Sequence, residues 1–485
     1  MTRPVLVVKF GGTSVGSPES MDRAVGLITA EAQNSSVVVV VSAMSQVTNM
    51  LFDALAAGSE GNRSTLERRL DEIRTKHMHA CNELLPPGCR GQVIERMEGV
   101  LDEFGRIARG MLLLRERPPR SVDEAASTGE RLSALLVSEV LNVRGTPSQF
   151  VSGADLIVTD AAHGGATPFI DETAINAETR LTPLLSQGIV PIITGYNGAT
   201  RGGVATTLGR GGSDFSAAIL AAALGADELW IWTDVDGILS CDPAISADAR
   251  LLADVTYNEA AELAYNGAKV LHPRTLAPLA EKEIPVRIKN SFDPDRSGTR
   301  ISAEPAGEPG VRAITSLAGV VLISIEAADP SMSGAQLMAR ALQAAARAKV
   351  EVLLLSRSSF RQNFCMLVHS RAVDSVLENL RDELALELVH GYVHPINVDH
   401  SVGLLAAVGE GMRGTPGLAG RLFTAISREN VNIIAIAQGS SELTIAIVVN
   451  QADLRTAVSA IHKECGLGEP TRSSAQAQAG RGVPS

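Results

Sequence analysis

Aromatic side chains are scarce, 3% of the 485 residues, and basic residues are outnumbered, so the formal net charge is −11. A broad nucleic-acid surface needs clustered Lys and Arg with aromatic faces for base stacking, so that class of function is disfavoured. No apolar run is long enough to span a bilayer. The five cysteines (Cys81, Cys89, Cys241, Cys365, Cys465) are odd in number and widely scattered, which suggests neither a disulfide framework nor a zinc cage. The first apolar run is interrupted at Lys9, too early for the core of a signal peptide, and a reducing cytoplasm is the default compartment. At this length two to four domains are expected.

What is present is organised around VLVVKFGGTSVG, Val5 to Gly16. Four apolar residues form a short buried strand that stops at Lys9, and Gly11 and Gly12 then let backbone N–H groups converge on an anion. Thr13 and Ser14 are placed to cap a following helix. The same stretch is equally an ordinary strand-to-helix turn, since it carries neither a Walker A pattern nor a dinucleotide fingerprint. Met21–Glu31 is expected to be helical and Val37–Val41 a second buried strand ending at Ser42. Strand alternating with helix predicts an α/β sheet with function at the carboxyl ends of its strands. Residues 51–120 are polar and helical in period, an excursion from that sheet.

Further along, Ser127-Thr128-Gly129-Glu130-Arg131 opens a helix, and Ser127 with Glu130 fits a capping box. Ile189–Thr194 is a strand. Gly209-Arg210-Gly211-Gly212-Ser213-Asp214 leads into an alanine-rich helix, with Ser213 or Asp214 as candidate N-cap. Arg210 between glycines presents a planar fork suited to a carboxylate. Leu229–Trp232 is a buried strand with Thr233, Asp234 and Asp236 at its end, a place for a nucleotide or for plain turn chemistry. A helix closes at Lys269, where a cation suits the helix dipole whatever the function. Ile284–Lys289 is expected to be the last strand before a Pro- and Gly-rich boundary at Thr299–Pro309. Beyond it the stretch at Val350 recurs at Val431, each copy running strand, helix, strand, strand, helix. Residues 469–485 have the composition of a disordered tail.

A glycine loop with a lysine, an arginine-bearing glycine loop and acids at strand ends point to phosphoryl transfer, which depends on positioning and charge neutralisation. No HRD and DFG set, H-E-x-x-H or G-x-S-x-G is present, which leaves small-molecule kinases. Taken together, KFGGTSVG, STGER, TTLGRGGSDFSA, WTDVDGI and GAKVLHPRT resemble, in this order, the aspartate kinases of the amino-acid kinase family. The resemblance runs from about residue 4 to 466. It implies a three-layer αβα kinase domain with a mostly parallel central sheet over residues 1–300, then two ferredoxin-like α+β ACT domains over 310–395 and 400–468. The first ACT domain would be inserted in the second, so a strand near Val311–Ser316 would belong with the later copy. A fused homoserine dehydrogenase, found in some relatives, is expected to be absent, because no dinucleotide-binding domain follows.

The resemblance further implies ATP-dependent phosphorylation of the side-chain carboxylate of L-aspartate, the first step towards lysine, threonine and methionine. Lys9 would neutralise the phosphoryl group in flight, Asp214 would organise Lys9 and the metal-bound phosphates, and Arg210 would hold the α-carboxylate. Glu130 would hold the amino group, with Ser42 and Thr48 lining that pocket. Phe10, Gly11, Gly12, Thr233, Asp234, Leu239, Lys269 and Val270 would contact ATP, which brings its own Mg2+ rather than relying on a protein metal site. His163 and His272 are left as structural. Related sequences carry an aromatic and a Pro-Arg pair after the TDVDG turn, where this chain has Leu239 and Pro243-Ala244. An amino-acid effector, threonine or lysine, would bind near Met332, Gly334, Gln438 and Ser440. The first copy has Arg357 and Phe360 where that pattern expects Gln and Glu, so a threonine site is not carried over to it. A homodimer through ACT domains is expected. Alternatives are another carboxylate kinase of the fold, acting on acetylglutamate or glutamate, and a catalytically weak amino-acid sensor.

Overall fold

The computed structural model describes residues 3–268, 271–304, 310–329, 332–358 and 363–468. Lys269, Val270, Phe360 and the tail 469–485 lie outside the described residues. The chain forms two compact units: the first comprises 1–238, 253–257 and 271–304, the second 239–252, 258–270 and 305–485. No helix among the described residues is long and apolar enough to cross a membrane.

The first unit is built on an eight-stranded sheet in the order Ser148–Val151, Val190–Thr194, Ser36–Val41, Val5–Phe10, Glu228–Thr233, Val286–Asn290, Thr299–Ser302 and Asp254–Thr256. All neighbours are parallel except Val286–Asn290 against Thr299–Ser302. That last pairing corrects the expectation for Ile284–Lys289, which is followed by a further strand where a linker was expected. Thr299 and Ile301 are buried and so behave as sheet residues despite the adjacent Gly298.

Alternation along the central strand decides what each face carries. Leu6, Val8 and Phe10 enter one hydrophobic cluster with Val37, Val39 and Val41. The helices Val47–Glu60, Arg63–Leu84 and Pro87–Leu114 join that cluster through Leu51, Leu55, Leu66, Ile73, Met97 and Phe104. The polar insertion is therefore packed onto the sheet, and its first helix begins at Val47, four residues before the expected Leu51. Against the opposite face lies the helix Gly212–Leu224, flanked by Ile170–Ser186 and Pro273–Glu281. Its alanines Ala217, Ala218 and Ala221 are fully buried, and their small side chains let it sit close to the strands.

The second unit contains two four-stranded antiparallel sheets, one accompanied by the helices Gly334–Arg347, Val373–Glu383 and the short Ala385–Val389, the other by Leu418–Arg428 and Leu454–Glu464. One runs Leu354–Arg357, Phe364–His369, Val320–Ile325, Asn397–Asp399; the other runs Ala313–Leu317, Val402–Val408, Thr444–Asn450, Ile433–Gln438. Ala313–Leu317 precedes the first copy yet pairs with Val402–Val408 of the second, which makes the first copy an insertion. Val350–Leu353, expected to be strand, is not, and the short strand Asn397–Asp399 was not expected. Val320, Leu322, Leu354 and Leu367 share an apolar cluster with Val402, Leu404, Ala435 and Val448, which joins the two sheets.

Candidate active site

Lys9 shares its side of the strand with Val7, on the face that carries the helix Gly212–Leu224. The first turn of that helix supplies Asp214, and the Lys9 ammonium lies 2.5 Å from its carboxylate. Gly211, at φ 68°, is the N-cap of this helix, so Ser213 and Asp214 are not used as caps. Ser17, not Thr13 or Ser14, caps the first helix by accepting from the Ser20 amide. Ser14 instead lies 2.8 Å from Ser291.

Two strand-end loops meet above Lys9. Ser42 N–H donates to Phe10 O, and Ser45 N–H donates to Gly12 O at 3.0 Å. A Cβ on Gly12 would stand 2.9 Å from Ala43 O, so only glycine permits this approach. The Gly11 N–H is already donated to Trp232 O, which takes it out of the set of amides expected to face phosphate; the first unit uses it to join two strand ends. Phe10 is 1% exposed, with its ring stacked on Trp232, and contributes to the core.

A cavity of about 690 Å³ opens at these strand ends, lined by Lys9, Gly12, Ser42, Thr48, Glu130, Arg210 and Asp214 among others. Residues from six separate sequence stretches thus meet in one space. Arg210 is exposed between Gly209 and Gly211, both at positive φ. Glu130 is 3% exposed, and its Oε2 has no hydrogen-bond partner. Burial pushes its carboxyl up to about 7, against the backbone N–H groups of Glu130 and Ala43, which favour the charged form. The capping box is not formed: Ser127 has helical backbone angles and caps nothing, which leaves Glu130 free to line the cavity.

Met44, Gln46, Asn49, Phe52, Gly164 and Tyr196 also line this space and were not anticipated. The first four sit beside Ser42 and Thr48 in sequence, a signal that was available; Gly164 and Tyr196 arrive by folding alone. Thr233 and Asp234 stand at the end of the adjacent strand and do not line the cavity; Thr233 O accepts from Ser291 N–H at 2.8 Å. Leu239 belongs to the second unit, in a bridge with Leu251. His272 caps the helix Pro273–Glu281, and His163 lies 2.7 Å from Asp123.

A smaller cavity of about 260 Å³ lies in the second unit, lined by Glu262, Tyr265, Asn266, Glu351, Ser441 and Thr444 together with apolar neighbours. Gln438 and Ser440 alternate with its lining residues Ala437, Gly439 and Ser441 but do not themselves line it; Met332 and Gly334 do not line it either. Gly334 opens the helix Gly334–Arg347 behind the cap Ser333.

Residues 4–290 match the model of the amino acid kinase family, and residues 405–465 match an ACT domain. The chain belongs to the amino acid kinase family. This amino acid kinase is 31% identical over 473 residues to the chloroplastic bifunctional aspartokinase/homoserine dehydrogenase 2 of Zea mays, covering 96% of this chain and 51% of that one. It spans about half the length of the first such curated relatives. It is 32% identical to the lysine-sensitive aspartokinase 3 of Escherichia coli, covering 94% of this chain and 98% of that one. Among solved structures it is similar to E. coli aspartokinase III in complex with aspartate and ADP (R-state), with a TM-score of 0.82, 30% identity and 95% and 99% of the two chains covered. The lysine and aspartate complex of that enzyme (T-state) gives a TM-score of 0.78 at 30% identity and the same coverage. The fold is that of an amino acid kinase followed by ACT domains.

Proposed function

We propose that this chain is an aspartate kinase, transferring the γ-phosphoryl group of ATP to the side-chain carboxylate of L-aspartate to give 4-phospho-L-aspartate. The observation that carries the reading is the shared cavity. A guanidinium (Arg210), a buried carboxylate with one unpartnered oxygen (Glu130) and the ammonium–carboxylate pair of Lys9 and Asp214 all line it. Arg210 suits an α-carboxylate and Glu130 an α-ammonium, which together select a free amino acid. Ser42 and Thr48 offer hydroxyls between them. The acceptor carboxylate is ionised near pH 7, so no general base is needed. The obstacle is repulsion between two anions, and Lys9 supplies the opposing charge.

Among the described residues no cluster of three or more His, Cys, Asp or Glu could hold a metal ion by itself. This donor set fits Mg2+ carried in by ATP, with Asp214 as the cavity carboxylate facing it; magnesium would supply charge neutralisation on the phosphates. The likeness to E. coli aspartokinase III with aspartate and ADP supports the same substrates. We further read residues 1–300 as the catalytic part and 310–395 and 400–468 as ACT domains, with homodimer formation through the latter and a cytoplasmic location. Lysine or threonine would act as effector, the 260 Å³ cavity beside Gln438 and Ser440 being the space for it; the lysine complex of aspartokinase III supports an amino-acid effector. Such control is a population shift limited by the effector's differential affinity.

Hydroxamate trapping of the acyl phosphate from aspartate and ATP tests the reading. Product from wild type and none from Lys9→Ala is expected; hydroxamate from glutamate or acetylglutamate in place of aspartate would overturn it.

A further inference from the structure

Asp123 is a carboxylate that the cavity does not contain, yet it is 2% exposed. Burying a carboxylate is costly unless donors surround it. Here three residues do so. Thr207 Oγ1 donates to Oδ1 at 2.6 Å, His163 Nδ1 lies 2.7 Å from Oδ2, and the Gly164 N–H reaches both oxygens at 3.2 and 3.1 Å.

Two of these partners, Thr207 and Gly164, lead to the substrate cavity. Thr207 ends the strand Ala205–Thr207, three residues before Arg210. Gly164 lines the cavity itself. A Cβ on Gly209 would lie 3.1 Å from Gly164 O, so the loop that carries Arg210 rests on the loop that Asp123 holds. Asp123 also belongs to the helix Pro119–Ala126, which runs directly into Thr128–Val143, the helix that carries Glu130. One buried carboxylate therefore ties the element bearing the cavity's acid to the loop bearing its guanidinium.

We infer that Asp123 is a positioning residue that sets the separation between Glu130 and Arg210, and so the fit of a free α-amino acid held by its ammonium and its carboxylate. The inference rests on the proposed aspartate kinase reading. It acts through geometry: Arg210 stands on two glycines at positive φ and has no stiffness of its own. Pinning at Thr207 and Gly164 replaces the rigidity those glycines lack.

The test measures KM for aspartate, KM for ATP and kcat separately in Asp123→Asn, in Thr207→Val and in each combined with Arg210→Ala. Thr207→Val removes one hydroxyl and keeps the shape, so it reports even where Asp123→Asn fails to fold. Misplacing a substrate-holding group by about 1 Å can cost on the order of 10²-fold, so KM for aspartate is expected to rise by at least about tenfold in Asp123→Asn. KM for ATP stays within about twofold, and the rise disappears in the Arg210→Ala background, as expected for residues acting as one unit. An unchanged KM for aspartate in both single variants, or effects that simply add to that of Arg210→Ala, would overturn the positioning role alone. A KM for aspartate that Arg210→Ala itself leaves unchanged would overturn the site reading together with it.

Discussion

Lys9 and Asp214 form an ion pair 2.5 Å long between the end of the central strand and the first turn of the helix Gly212–Leu224. The pair joins a strand end to a helix N-terminus, the two places where an α/β sheet gathers anionic ligands. Its side chains are 10% and 17% exposed, so solvent screens it little.

Lys9→Ala is expected to lower kcat by about 10²–10³-fold or more, the usual cost of removing one donor aimed at developing charge. Asp214→Ala, which leaves the ammonium without its anchor, should fall in the same direction by a smaller factor. Initial rates by hydroxamate trapping at saturating substrates check both; a Lys9→Ala rate within twofold of wild type would exclude the role.

Glu130 gives a pH dependence with a definite sign. Its carboxyl sits at about 7 in the folded protein against an ordinary 4.5. Its contribution to the stability of the unliganded protein is therefore fully present below about 4.5 and is lost as pH rises through about 7. Ligand binding runs the other way, because an α-ammonium needs the carboxylate form: KM for aspartate should fall from about pH 5.5 to about pH 7 and level off above. Glu130→Gln should weaken aspartate binding and flatten both profiles, measured by titration calorimetry and by thermal melts across that range.

Gly129 packs where no side chain fits. A Cβ there would lie 2.6 Å from Ala43 Cβ and 3.0 Å from Val47 Cγ1. Gly129→Ala is expected to destabilise the first unit by about 1–3 kcal/mol through overpacking and to raise KM for aspartate by displacing the segment from Ser42 to Thr48. Urea melts and steady-state kinetics on one preparation test the two effects.

The second cavity yields a regulatory prediction. Thr444 Oγ1 donates to Glu262 Oε2 at 2.8 Å, and Glu351 faces the same space. Glu351→Gln removes a charge available to an effector ammonium, so the concentration of lysine or threonine giving half-inhibition should rise by roughly tenfold, the value of one charge-assisted hydrogen bond. Dose–response curves measure it. If neither amino acid alters the wild-type rate, the effector reading is wrong.

Local pattern was enough for the strands at Val5 and Val37, because an apolar run that stops at a charged or small polar residue has few structural interpretations. It was enough, too, for Arg210, since an arginine between glycines has little to do in a core. It misled at Ser127, where capping-box spacing is satisfied but helical backbone angles prevent the cap. It was silent on Asp123, whose partners lie 40 and 84 residues away. It also stopped the sheet one strand early, because Thr299–Ser302 is too short to carry a periodicity of its own.

The amino-acid sequence by itself determined the longer buried strands and the helices between them, the internal repeat and the residue types that can neutralise phosphate. Each of these follows from hydrophobic period and side-chain chemistry within a short window. Tertiary structure alone decided which of those residues face one another. Lys9 meets Asp214 because alternation turns it towards one particular helix, and Glu130 rises to about 7 because the folded chain removes its water. A local pattern specifies which groups exist; their charge state and their partners depend on what long-range packing places beside them.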